Sequence, residues 1–260
     1  MPPEDPTADV INIMLRRDGL VECLLEGAKD KRELVAALDI SRSTVDRGVR
    51  ELDALGLIEP CEEGYQPTLS GRLLAEEYEE FSHRIENMVS AREMLSVLPP
   101  DSEIDPVVLE GAELIPSNET APHIPGSSIL TLLKGADCCY GLTRAHSLPT
   151  AMDVMQELTV QQNAVGEHVF QSDAFEYLQS EHPEKFRELK ESGNFEPFIV
   201  DSVPFGLFLI EKAGVKHVTV QVHGGSNKMM GVVINNSKAA VEWGERTYRD
   251  YKKRAERVDL

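Results

Sequence analysis

The sequence predicts an α+β protein, on three observations. Helical periods closed by a tight hairpin fill residues 1–70, and a polar and apolar helical stretch continues through 71–98. Over 105–260, short apolar runs alternate with helical periods, the pattern of a layered α/β domain. The prolines of Pro-Pro-Asp-Ser-Glu-Ile-Asp-Pro (99–106) set the boundary before that last domain, because proline cannot donate in a helix and restricts the residue before it.

In the first domain, Val10, Ile13, Met14, Val21, Leu24 and Leu25 give a helical period over 9–26 that stops at Gly27. Asp30 is placed to cap a short helix with Leu34, Val35 and Leu38 on its apolar face. Asp39-Ile40 turns the chain, and Ser41 caps a third helix that turns Val45, Val49, Leu52 and Leu55 inward and ends at Gly56. Residues 57–59 and 65–67 read as short strands around the turn at 62–64. Three helices and a hairpin in this order make a winged helix-turn-helix.

A helix-turn-helix buries one face of its second helix and offers the opposite face to a major groove. That free face holds Arg42, Ser43, Thr44, Asp46, Arg47 and Arg50, with Lys31 and Arg32 nearby. Arginine reads guanine bidentately, the hydroxyls of Ser41, Ser43 and Thr44 reach phosphates or bases, and the helix N-terminus favours a phosphate. Double-stranded DNA is the partner expected; the alternative is a solvated face in a winged helix used for protein contacts. Asp46 repels phosphate unless it pairs with a cation or accepts from a cytosine amine.

Ser-Arg-Ser-Thr-Val-Asp-Arg-Gly-Val-Arg-Glu-Leu-Asp-Ala-Leu-Gly-Leu-Ile-Glu (41–59) and Tyr-Gln-Pro-Thr-Leu-Ser-Gly-Arg (65–72) resemble the recognition helix, wing and exit of archaeal winged-helix transcription regulators. Gly-Val-Val-Ile-Asn-Asn-Ser-Lys-Ala-Ala-Val-Glu-Trp-Gly-Glu-Arg-Thr-Tyr-Arg-Asp-Tyr (231–251) is similar to the close of the domain in regulators of the methanogenesis (Fil) type. The resemblance implies a sequence-specific DNA-binding regulator whose α/β domain senses an effector.

Ser70 is placed to cap the long helix, on which Leu74, Tyr78, Phe81, Ile85 and Met88 recur at spacings of four and three. Such a seam joins two copies into a homodimer, as the reading of a palindrome requires, or else packs against the first helix.

In the second domain, 115–128 reads as a loop, with Pro116, Pro122, Pro125 and Gly126. Strands are expected at 137–142, 167–170, 198–200, 206–210, 218–222 and 230–234, and helices at 149–161, 173–179 and 237–257. Trp243, Tyr248 and Tyr251 read as packing residues. Thr143-Arg-Ala-His-Ser147 follows a strand and opens a helix, the place where α/β sheets bind anions, so Thr143, Arg144, His146 and Ser147 form a candidate site for a small anionic metabolite. Cys138 and Cys139 should face opposite sides of their strand, with a redox pair as the rival reading.

No Walker loop, Gly-x-Gly-x-x-Gly, Gly-x-Ser-x-Gly or His-Glu-x-x-His is present, nor the phospholipase-D pattern of His-x-Lys followed by Asp. No enzyme activity, metal or cofactor is therefore expected. The rival is a small-molecule enzyme carrying a winged-helix appendage. His223-Gly-Gly-Ser-Asn227 reads as a turn between strands. No apolar run suits a bilayer and the start is acidic, which predicts a soluble, cytoplasmic protein without membrane contact.

The 260 residues carry a formal charge of −19 from 26 basic and 45 acidic side chains, so a basic nucleic-acid-binding profile is excluded. The acidity is even, with 11 basic and 21 acidic residues in 1–98 and 15 and 24 in 99–260. Even acidity suits a halophilic archaeal cytoplasm, where salt screens the repulsion.

Overall fold

The computed structural model describes residues 6–145 and 150–258. The chain forms two compact units, Met1–Ile85 and Glu86–Leu260. In the first, α1 (Pro6–Leu25), α2 (Lys31–Leu38) and α3 (Arg42–Ala54) precede a hairpin of β1 (Ile58–Cys61) and β2 (Gly64–Pro67). Lys29 adds a one-residue bridge to Tyr65, and together these elements form a winged helix. Asp30 caps α2 through a capping box with Glu33, and Ser41 caps α3 by accepting from the Thr44 amide. Leu20, Leu24, Leu34, Val45, Val49, Leu52 and Ile58 form the buried centre, and Leu55 packs half-buried against it.

The long helix α4 runs Leu69–Leu95 and starts earlier than Ser70 capping implies. Thr68 is the cap: its hydroxyl accepts from the Gly71 amide, while the Ser70 hydroxyl donates to the Gly56 carbonyl. Gly71 lies so close to β1 that a Cβ there would stand 1.8 Å from the Leu57 carbonyl oxygen.

The second unit is built on an eight-stranded mixed sheet. Its strands are β3 (Glu113–Pro116), β4 (Cys138–Thr143), β5 (Val165–Gln171), β6 (Phe195–Val200), β7 (Gly206–Lys212), β8 (Val215–His223), β9 (Met229–Asn235) and β10 (Glu256–Arg257), in the order β10-β6-β5-β4-β7-β8-β9-β3. β4, β5 and β6 are parallel, and β4-β7-β8-β9-β3 are antiparallel.

One face of the sheet packs Leu142, Val169, Leu207, Val220 and Val233 against Trp243, Tyr248 and Tyr251 of α9 (Lys238–Arg254) and Ala91 and Met94 of α4. The other face meets α5 (Ile124–Leu133) and α6 (Ala151–Gln156), which continues as a π turn. An aromatic cluster from α7 (Ser172–Glu181) and α8 (Pro183–Ser192) closes that side.

Three expectations need correction. The stretch 115–128 is not one loop: β3 pairs with β9 at its start, and α5 begins at Ile124 with Pro125 in the first turn, where no amide donor is required. The last helix stops at Arg254, and Glu256 and Arg257 pair with β6 instead. The helix expected over 149–161 runs as α6 only to Gln156, the π turn taking the rest.

Candidate functional site

On α3, Arg42, Ser43, Arg47 and Arg50 are exposed, Thr44 is half-buried, and Val45, Gly48, Val49 and Leu52 face the core. Two of the expected contact groups are already occupied. Lys31 Nζ lies 2.8 Å from Asp46 Oδ1 and 5.7 Å from the Tyr65 ring centre, so its charge is matched within the domain. That hydrogen bond raises the Lys31 pKa and lowers that of Asp46. Ser41 Oγ lies 2.8 Å from both Ser43 Oγ and Thr44 Oγ1, which ties three hydroxyls into the start of the helix. Arg50 Nε donates to the Asp46 carbonyl at 3.0 Å, holding the arginine stem along the helix. Arg32 is exposed beside this face. The sequence pattern marked Asp46 as a liability; the fold neutralises it with Lys31, at the expense of Lys31 as a free cation.

The seam of α4 divides. Tyr78 packs against the winged-helix core and Met88 against the core of the second unit. Leu74, Phe81, Ile85 and Val89 stay exposed, Phe81 by 54% and Val89 by 58%.

The strand end at β4 separates the residues expected to act together. Thr143 lines a small buried cavity on one side of the sheet, together with His168 and Gln221. Arg144 instead lines a groove of about 470 Å³ with Gln171, Ser202, Tyr251 and Arg254, in which Asp101 and Glu103 also lie. Its guanidinium donates to the Pro204 carbonyl through one terminal nitrogen, and its buried Nε has no partner among the described residues. Burial first and the Arg144 charge second hold the His223 imidazole down at about 4. His146 and Ser147 lie outside the described residues.

Cys139 is buried, where desolvation raises its thiol pKa, and Cys138 faces the groove beneath α9. In that groove Glu167 accepts from the Tyr248 hydroxyl at 2.7 Å and from Lys252 Nζ at 2.6 Å. The sequence reading missed this cluster because its members lie far apart in the chain, and it leaves Tyr248 with a polar partner besides its packing. Among the described residues no three His, Cys, Asp or Glu side chains are placed to hold a metal, and no helix is long and apolar enough to cross a membrane.

The first unit is a winged helix and the second an α/β layer with polar groups gathered at its strand ends, a two-domain winged-helix protein. Residues 122–254 match the family model of the methanogenesis regulatory protein FilR1, middle domain, and the chain belongs to that family. The similarity read from residues 231–251 falls within this match. Residues 7–90 match the HVO_A0261 N-terminal domain.

Among solved structures, the archaeal chromatin protein TrmBL2, described as showing a novel mode of DNA binding, is 12% identical. That match covers 96% of this chain and 98% of TrmBL2, with a TM-score of 0.45. Nuc from Salmonella typhimurium, a phospholipase D family member, is 12% identical over 57% of this chain and 98% of its own, with a TM-score of 0.44. NucT from Helicobacter pylori is 7% identical over 56% and 98%, with a TM-score of 0.44. No curated protein matches the chain in sequence.

Proposed function

We propose that the protein is a transcription regulator that reads a specific DNA operator through α3, acts as a homodimer joined along α4, and senses a small anionic effector in its second unit. The observation that carries the reading is the exposed row of Arg42, Arg47 and Arg50 on the α3 of a winged helix. Membership of a regulatory-protein family supports regulation over catalysis. Even acidity fits a salt-rich archaeal cytoplasm, in which base contacts outlast phosphate attraction.

Within this reading Arg42, Arg47 and Arg50 meet the duplex, with Arg32 beside them. The Ser43 hydroxyl adds to the phosphate contacts, while Lys31, Ser41 and Thr44 shape the face. The effector's anionic group lies against Arg144 and Arg254, while Thr143 faces the separate cavity beside His168 and takes no part in this contact. Calorimetry with small carboxylate and phosphate metabolites on the full chain and on Arg144→Ala tests this part, and equal response of the two proteins overturns it.

The experiment for the operator is selection of duplexes from a random pool by the full chain, followed by titration of Arg47→Ala. The substitution should cost roughly 1–3 kcal/mol on the selected site and leave random duplex nearly unchanged. Absence of any enriched sequence, as a winged helix used for protein contacts would give, overturns the reading.

A further inference from the structure

On the α9 face of the sheet, two neighbouring rows depart from the apolar pattern of the core. Glu167 of β5, Tyr140 of β4 and Leu209 of β7 lie side by side in one row, and Cys138, Glu211 and Lys216 of β4, β7 and β8 in the next. α9 crosses these rows and is held at two points. A Cβ on Gly244 would stand 2.7 Å from Val218 Cγ2, so the helix presses on β8 there, and the Tyr248 hydroxyl donates to Glu167 Oε1 at 2.7 Å. The groove into which Cys138 faces lies between helix and sheet. Its volume of about 420 Å³ falls within the roughly 300–1,000 Å³ of small-molecule sites, and all of its lining residues are among those described.

The groove carries as many acidic as basic side chains, in a chain whose formal charge is −19. Most of them are already matched. Lys252 Nζ lies 2.6 Å from Glu167 Oε2, and Lys216 Nζ lies 2.8 Å from Glu245 Oε1. The Glu211 carboxylate on the sheet and the Arg249 guanidinium on α9 have no ion-pair partner among the described residues. Tyr140, half-buried, and Leu209 and Val241, both buried, give the same groove its apolar surface.

We infer that this groove binds a free α-amino acid with an apolar side chain, its ammonium group against Glu211 and its carboxylate against Arg249. A lone anion would leave Glu211 unmatched and be repelled by it, and a lone cation would meet the same difficulty at Arg249. A zwitterion matches both charges and keeps the groove neutral. Arginine takes a carboxylate through two parallel hydrogen bonds, and a carboxylate accepts readily from an ammonium group. The apolar surface receives the ligand's side chain, which gains by leaving water. The two ion pairs and the anchored helix hold the walls in place before the ligand arrives, which lowers the ordering cost of binding. The groove shares no residue with that of Arg144, so the inference goes beyond the effector reading and does not rest on it.

L-leucine, L-methionine and L-phenylalanine are the probes, titrated by calorimetry to about 20 mM into the full chain at one KCl concentration, since ligands this small reach roughly micromolar to millimolar Kd. At least one should bind saturably. For the tightest of them, the matching amine lacking the carboxylate and the matching acid lacking the ammonium group should each bind about tenfold or more weakly, because each leaves one charged side chain unpaired. Arg249→Gln should weaken the amino acid about tenfold or more and leave the amine unchanged. Glu211→Gln should weaken the amino acid to the same extent and leave the acid unchanged. Both side chains stand outside the buried cores, and far-ultraviolet spectra check that the variants fold.

Absence of saturable binding by all three amino acids overturns the inference, as does equal binding of the amine or the acid, and the wild type alone decides both whether or not a variant folds. Undiminished binding by either folded variant overturns it as well. Arg144→Ala should bind the amino acid as the wild type does; a loss confined to that variant would move the ligand to the other groove and overturn the assignment here. The titrations contain no DNA, so their failure is distinct from failure of the α3 reading.

Discussion

Asp46→Asn isolates the ion pair that the fold places on the DNA-facing side of α3. In the wild type Lys31 Nζ is held 2.8 Å from the Asp46 carboxylate, and the bond raises the lysine pKa while lowering that of the acid. Asparagine keeps the backbone carbonyl that anchors Arg50 and removes only the negative charge. One lysine is then available to neutralise about one phosphate. Each neutralised phosphate contributes about −0.9 to the slope of log K against log salt, so the variant's line should steepen by about 0.9 per bound domain. Taking the lines to meet near 1 M salt, the gain in affinity for random duplex is about eightfold near 0.1 M and disappears at about 1 M. The wild-type slope itself should be shallow, because among the described residues Arg32, Arg42, Arg47 and Arg50 are the exposed cations on this face of an acidic domain. Fluorescence anisotropy on a random duplex across a KCl series reads both slopes. Parallel lines, or weaker binding by the variant at every salt concentration, would refute the assignment of Lys31 as a cation held back by Asp46.

Gly71→Ala should lower the melting temperature of the winged helix by an amount corresponding to about 1–3 kcal/mol, since its methyl must displace the Leu57 carbonyl; an unchanged thermal transition would contradict the close approach of α4 to β1. Phe81→Glu with Ile85→Glu should move the native mass by light scattering toward the 28.9 kDa of one chain, and a wild type already at that mass removes the dimer from the proposal. For pH, the His168 pKa is depressed from 6.5 to about 4, so the unfolded chain binds the proton more readily. That contribution is complete above pH 6.5 and is lost as pH falls toward 4, reaching about 3 kcal/mol in full. Denaturant midpoints between pH 7 and 4 should therefore fall less steeply in His168→Phe than in the wild type, with His223, also held at about 4, and the lowered carboxyls of Asp30, Asp46 and Asp250 contributing to the remaining slope.

The winged helix was legible because its signals are local. Asp30, Ser41 and Gly56 sit within a few residues of the helix ends they mark, and Val45, Val49 and Leu52 show α3's inward face directly. In the second unit the apolar strands were legible for the same reason, whereas α8 offers only Phe186 and Leu189 as buried positions among charged neighbours and gives little period to read. β10 is two residues long and exists only through its pairing with β6. The cavity beside Thr143 was out of reach, because it depends on register across four strands. His168, Gly141, Gly206 and Gln221 acquire meaning only when β5, β4, β7 and β8 are laid side by side. A polar histidine at an inward position of an apolar strand was the one signal on offer.

The α4 seam shows why a periodic pattern identifies a buried stripe without naming what buries it. Leu74, Tyr78, Phe81, Ile85 and Met88 satisfy one heptad-like spacing, yet Tyr78 is consumed by the core of the first unit and Met88 by that of the second. What remains for a partner is Leu74, Phe81, Ile85 and, absent from the original pattern, Val89. Phe81, Ile85 and Val89 follow each other at steps of four, which puts them on one narrow face of the helix. A charge at Tyr78 or Met88 would damage a folding core, so loss of dimer there would carry no information about the interface. Phe81 and Ile85 belong to neither core and stay largely exposed, so a charge there spares both cores and its effect on native mass reports on association.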